Sequence, residues 1–132
     1  MKIVINSDYG GFGLSEEAIE RYIELSDLTL YRHFDTEWKT ISYYTVPYDE
    51  YEKVHKKDLK EGNYKDSNAL CWSEREIPRN DSILVQVVEE LGEEVNTQYS
   101  RLKVVEIPDD VKWQIDEYDG SEWVAEVHRT WS

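Results

Sequence analysis

An arginine stands near the C-terminal end where a hydrophobe is due. The run from Glu122 to Trp131 alternates with a period of two. Taking Trp123 as the first inward position puts Trp123, Ala125, Val127, Arg129 and Trp131 on one face, and Val124, Glu126, His128 and Thr130 on the other. A guanidinium between apolar neighbours is costly to bury unless it meets an anion or hydrogen-bond acceptors. In a chain of net charge -14, Arg129 is therefore a candidate clamp for an anionic ligand. Two plainer readings stand beside it: pairing with one of the chain's own carboxylates, or a place at a frayed strand end.

The other reactive residue types give weaker patterns. The loop Tyr9-Gly10-Gly11-Phe12-Gly13-Leu14-Ser15 lies between a strand and a helix, where free backbone N–H groups can meet a phosphate. It lacks the Lys-Ser/Thr end of a P-loop and the glycine spacing of a dinucleotide fingerprint, and Glu16 and Glu17 repel anions at that helix start. A tight turn is the stronger reading of these glycines. His33, His55 and His128 have no ligand-spaced partners, and Cys71 is the single cysteine, so no metal site and no internal disulfide are expected. Asp109-Asp110 is a carboxylate pair, but Pro-Asp-Asp between strands is ordinary turn chemistry. No local motif supplies a nucleophile and its base, and no catalytic residue or cofactor is expected.

Composition narrows the classes further. The 132 residues suit a single domain, 1–132, with a modest core. Asp and Glu number 29 against 15 Lys and Arg, which argues against nonspecific nucleic-acid or anionic-membrane binding, since both need a basic footprint. Ten Tyr and five Trp against two Phe favour interfaces and sites that stack planar ligands. The opening MKIVIN is too short for a signal peptide or membrane span, so a soluble cytoplasmic protein is expected.

These residues need elements to position them. Lys2 to Asn6 reads as a strand. Ser15 reads as the cap of a helix from Glu16 to Leu25 that buries Ala18, Ile19, Tyr22 and Ile23. The segment from Leu28 to about Tyr51 suggests one or two strands. Tyr51 to Asp66, charged and poor in large apolar residues, reads as a solvated loop or short helix. Asp81 or Asn80 caps a second helix to about Glu94, with Ile83, Leu84, Val87, Val88 and Leu91 as its apolar stripe. A C-terminal meander follows: Leu102 to Ile107, Val111 to Glu117, the turn Asp119-Gly120, then Glu122 to Trp131. The expected class is α+β: an antiparallel β-sheet with a C-terminal meander and two helices, in an oligomer.

The opening MKIVINSDYGGFGLSEEA, the helix SILVQVVEELGE and the ending LKVVEIPDD…EYDG…HRTW together resemble a family of small phage-encoded proteins, the Thoeris anti-defence sponges of the first type described. The likeness covers about Met1 to Leu25 and Ser82 to Trp131. The middle, from Ser26 to Asp81, lies outside it.

The resemblance implies a protein of the host bacterial cytoplasm that binds cyclic ADP-ribose isomers, and at separate pockets small cyclic oligonucleotides, without turning them over. It implies a homo-oligomer, a closed hexamer. It also implies roles for individual residues. Arg129 would contact pyrophosphate oxygens through the planar fork that suits them. Asp109 would face ribose hydroxyls or adenine, and Tyr99 would stack on a base. Where the family carries a second basic residue four positions before the arginine, this chain has Ala125, which shifts weight to His128 or Arg101. A sponge without turnover needs an affinity of order nanomolar, about -12 kcal/mol. Small polar nucleotides reach that in a preformed, enclosed site.

A different class competes. An acidic mimic of the DNA backbone would occupy the DNA site of a host nuclease or other DNA-binding protein, with Asp109, Asp110, Asp116, Glu117 and Asp119 as its carboxylate face. A solvated acidic surface is the plain alternative. An enzyme that cleaves the cyclic nucleotide has no motif in its favour.

Overall fold

The computed structural model describes residues 1–127. In chain order its elements are β1 (Lys2–Asn6), α1 (Glu16–Ser26), β2 (Tyr31–Asp35), β3 (Thr40–Tyr44), α2 (Tyr48–Glu61), α3 (Lys65–Asn68), β4 (Cys71–Trp72), α4 (Ser82–Leu91), β5 (Leu102–Glu106), β6 (Trp113–Tyr118) and β7 (Ser121–Glu126). The class is α+β with antiparallel strands. The chain divides into two compact units, one made of residues 1–26 and 77–132, the other of residues 27–76.

In the first unit, β1 pairs antiparallel with β5, from Lys2 opposite Glu106 to Asn6 opposite Leu102. Ile3, Val4 and Ile5 are fully or almost fully buried there. Ser15 caps α1 as expected, accepting from the Ala18 N–H at 3.2 Å. Asp81 caps α4 by accepting from Ile83 and Leu84 N–H at 2.9 and 3.0 Å. The two helices pack together through Ala18, Ile19 and Tyr22 of α1 and Leu84, Val87 and Val88 of α4, all buried. The β6–β7 hairpin turns at Asp119-Gly120, with Tyr118 opposite Ser121.

The second unit is a small three-stranded sheet, β2–β3–β4, with α2 and α3. Asp58, on α2, is almost wholly buried and accepts from the Ser67 N–H at 2.7 Å, which fastens α3 to α2.

Four expectations are corrected. There are four α-helices among the described residues, not two. The segment from Tyr51 to Asp66, read as a solvated loop or short helix, holds most of the 14-residue α2, whose inner stripe is Tyr48, Tyr51 and His55, rings that do not count as aliphatic but pack as core. The C-terminal meander is not formed either: β5 pairs with β1 and not with β6. The apolar β1 supplies a buried partner for β5, and Ile107 N–H extends the ladder to Met1 C=O at 2.9 Å before Pro108, which has no N–H to donate. Finally, the strand face is reversed. Trp123 is 47% exposed, and its neighbour Glu122 turns inward.

Candidate functional site

Asn6 ends an apolar strand and organises one end of the first unit. It is fully buried, and its side-chain amide makes all four of its hydrogen bonds. Its Nδ2 donates to the Asp8 and Gly120 carbonyls, both at 2.9 Å. Its Oδ1 accepts from the N–H groups of Asp8 at 3.2 Å and Arg101 at 2.8 Å. One side chain thus joins the glycine loop, the tip of the β6–β7 hairpin and the entry to β5. Its backbone N–H donates to Glu122 Oε1 at 2.8 Å, and the same carboxylate holds Arg79 in a two-pronged pair at 2.6 and 2.8 Å. The Arg79 guanidinium lies 3.6 Å from the centre of the Phe12 ring, so the fork is clamped on both its edge and its face.

Two glycines permit this convergence. A Cβ at Gly10 would overlap the carbonyl and Cβ of Tyr99, and one at Gly120, where φ is 91°, would overlap the Tyr9 carbonyl. The glycine loop is a close-packed turn, as its composition suggests. The loop that carries Tyr99 is fixed separately. Ser100 Oγ donates to the Gly13 carbonyl at 2.9 Å and accepts from the Thr97 N–H at 2.9 Å. Tyr99 itself is 63% exposed.

Beside this junction lies a groove of about 390 Å³ lined by Ser7, Val88, Gly92, Glu93, Asn96, Arg101, Leu102 and Lys103. The volume falls within the range of small-molecule sites. Ser7 is tied to the Arg101 carbonyl through its N–H at 2.7 Å and its hydroxyl at 3.0 Å, and Asn96 Oδ1 accepts from the Leu102 N–H at 2.7 Å. Neither the Arg101 guanidinium nor the Lys103 ammonium has an ion-pair partner among the described residues. Two cations without an ion-pair partner among the described residues, on a floor tied by these backbone bonds, can hold an anion.

The expected site residues are placed unevenly. Arg101 lines this groove, whereas Tyr99, two residues earlier in the chain, is exposed and packs against Gly10 outside the groove's lining. Asp109 joins neither: it is 86% exposed and pairs with the N-terminal ammonium of Met1, at the other end of the β1–β5 ribbon. Five residues of strand separate those ends, roughly 15 Å at about 3.4 Å per residue. Arg129 and His128 lie outside the described residues. Of the acidic candidates, Asp116 and Glu117 are consecutive on β6 and so point to opposite faces of the hairpin.

A larger cavity of about 700 Å³ lies along α4, lined in part by Lys2, Val85, Gln86 and Glu89. Its lysine is already bound to Glu89 at 3.0 Å, and that contact holds the Lys2 ammonium above its ordinary pKa. The smaller groove is the better anion site because Arg101 and Lys103 have no ion-pair partner among the described residues.

The second unit holds a column of rings. His33 stacks on Tyr48 with centroids 3.6 Å apart, Tyr51 packs against Tyr44 at 4.2 Å, and His55 lies between Tyr51 and Tyr64 at 5.5 and 5.8 Å. Burial, followed by the Cys71 thiol and Tyr44, pushes the Tyr51 hydroxyl up to about 12. These rings are spent on one another and form this unit's core. His33 and His55 belong to that column, and among the described residues no group of three or more His, Cys, Asp or Glu is placed to hold a metal ion.

Asn6, Ser7, Asn96 and Lys103 escaped the sequence reading. The available signal was Asn6 itself: an amide closing an apolar strand before a Ser-Asp pair is a residue type that bonds to nearby backbone. No family model, curated protein or solved structure matches this chain.

Proposed function

We propose that this protein binds a small phosphorylated nucleotide in the groove beside Arg101 and Lys103 and holds it without cleaving it. The observation that carries the reading is a pair of cations in one groove with no ion-pair partner among the described residues, two and four residues after exposed Tyr99, in a chain of net charge -14. Such a chain has few cations to spare, and Arg21 and Arg79 are already engaged, the first with Glu24 and Glu90 and the second with Glu122. Pyrophosphate oxygens suit the guanidinium fork, and a base suits the Tyr99 ring. The resemblance of both chain ends to the phage sponge family supports cyclic ADP-ribose isomers as the ligand, with cyclic oligonucleotides as a second class. It also supports a closed homo-hexamer in the host cytoplasm, in which pockets gather residues from neighbouring copies, Asp109 and Arg129 among them.

The acidic-mimic reading gains less support, because Asp116 and Glu117 divide between two faces of β6 and Asp109 is engaged by the Met1 ammonium. No helix among the described residues is long and apolar enough to cross a membrane.

Calorimetry tests the proposal. Cyclic ADP-ribose isomers titrated into the protein should give a saturable heat. Arg101→Ala should weaken that binding by about 1.5–3 kcal/mol, the range for a hydrogen bond to a charged group, without lowering the melting temperature. Arg129→Ala should do the same if it completes the clamp. Absence of binding for every isomer at micromolar protein rejects the reading.

A further inference from the structure

Three exposed tyrosines stand at the end of the first unit, two on loops and one at the end of β6: Tyr9 at 66%, Tyr99 at 63% and Tyr118 at 74% exposure. Large rings left this open on a folded surface are a feature of binding surfaces. Their loops are locked together from below. Tyr9 precedes Gly10, whose Cα touches Tyr99; Tyr118 stands two residues before Gly120, whose Cα touches the Tyr9 carbonyl. The Asn6 amide bonds the Asp8 and Gly120 carbonyls and the Arg101 N–H beneath all three. Rings on a preformed support lose little entropy when a partner is bound.

Charge then selects the partner. Asp119 follows Tyr118 in the turn, is exposed, and makes no ion pair among the described residues. Asp8 precedes Tyr9, its Oδ1 accepting only the local Tyr9 N–H at 2.7 Å. Arg101, the nearest cation in sequence to Tyr99, lines the adjoining groove. Carboxylates beside open aromatic faces repel phosphate backbones and a second copy of the same tip. They suit a guanidinium, which stacks on a ring through its face and pairs with a carboxylate through its edge.

We propose that the tip bearing Tyr9, Tyr99 and Tyr118 is a docking surface for an arginine-bearing segment of another protein. The tip shares Tyr99 with the proposed nucleotide site, so in that part it rests on that reading. The test varies Tyr9 and Tyr118 alone, which keeps its failure distinguishable from a failure of nucleotide binding. The tyrosines and carboxylates act as a unit: the rings supply contact area, and Asp8 and Asp119 set the sign of the partner.

Two short peptides of equal charge provide the probes, one alternating Arg and Gly, the other Lys and Gly, each titrated into the full chain by fluorescence anisotropy at roughly 0.15 M salt, where weak long-range attraction is screened. The arginine peptide should bind saturably and more tightly than the lysine peptide. The double variant Tyr9→Ser, Tyr118→Ser leaves the net charge unchanged and removes only exposed rings. It should weaken the arginine peptide about tenfold, the loss expected when interface aromatics are truncated, with an unchanged melting temperature. A single Tyr9→Ser variant gives the same direction if the double variant folds poorly. Equal affinity for the two peptides, or full affinity in the variants, overturns the proposal. So does self-association of the wild type that the double variant abolishes, because it would assign the tip to a second copy.

Discussion

Arg79 and Glu122 lie 43 residues apart and meet as a bidentate pair whose carboxylate side chain is 7% exposed. The pair sits under the Asn6 junction, so the geometry of the glycine loop and the hairpin rests on two buried charges. Glu122→Ala strands the guanidinium and removes the acceptor of the Asn6 N–H. It should cost about 3–5 kcal/mol, as breaking one side of a buried ion pair does. Urea unfolding followed by tryptophan fluorescence measures this; a loss below about 1 kcal/mol would mean that water replaces the carboxylate.

Gly120 provides a second check on the same junction. At φ 91°, with the Tyr9 carbonyl against its Cα, it has neither the backbone freedom nor the space for a side chain. Gly120→Ala should destabilise by at least about 1–2 kcal/mol, the cost of a left-handed alanine before any overlap. Gly62→Ala pays the same backbone cost but meets nothing within 4 Å, so it should be milder in thermal unfolding. Equal losses at the two positions would remove the close approach from the explanation.

The second unit should weaken in alkali. Burial raises the Tyr51 hydroxyl to about 12 from 10.0. Between those values the unfolded chain has released a proton that the folded chain retains, so stability is fully present below pH 10 and falls as pH rises toward 12. Tyr44 and Tyr22 are raised by burial in the same sense. Denaturant midpoints measured across this window should decline, and Tyr51→Phe should flatten part of the decline. A Tyr51→Phe profile that matches wild type would show that the hydroxyl titrates normally.

What could be read from the sequence was local. The Ser15 and Asp81 caps, the apolar stripe of α4 and the Asp119-Gly120 turn depend on neighbouring residues, and each was legible. The β1–β5 pairing joins strands about a hundred residues apart, and no periodicity within either strand names its partner. The reversed face of β7 has a similar cause. Alternation gives two faces but not which one is inward, and Arg79, from a distant segment, made the Glu122 face the buried one. At the candidate site, Tyr99 and Arg101 are named only through the resemblance, and no local pattern in the sequence singles them out. The unpaired state of Lys103 and the four bonds of Asn6 exist only once three loops converge.

Assembly is open to direct measurement. Exposed rings such as Trp38 at 74%, together with Phe34 and Trp123, leave apolar area that copies of the chain can bury. Light scattering at micromolar concentration should report about six times 15.7 kDa if the hexamer of the resembling family applies. A stable monomer would remove the shared pockets.

The central claim is retention without turnover. The protein is incubated with each cyclic ADP-ribose isomer, freed of unbound ligand by gel filtration, heated to denature it, and the supernatant is analysed by mass spectrometry. The account predicts recovery of the intact cyclic nucleotide in stoichiometric amount from the wild type, and little from the double variant Arg101→Ala, Lys103→Ala, whose fold is unchanged. Hydrolysed product in the supernatant, or equal retention by the double variant, would contradict it.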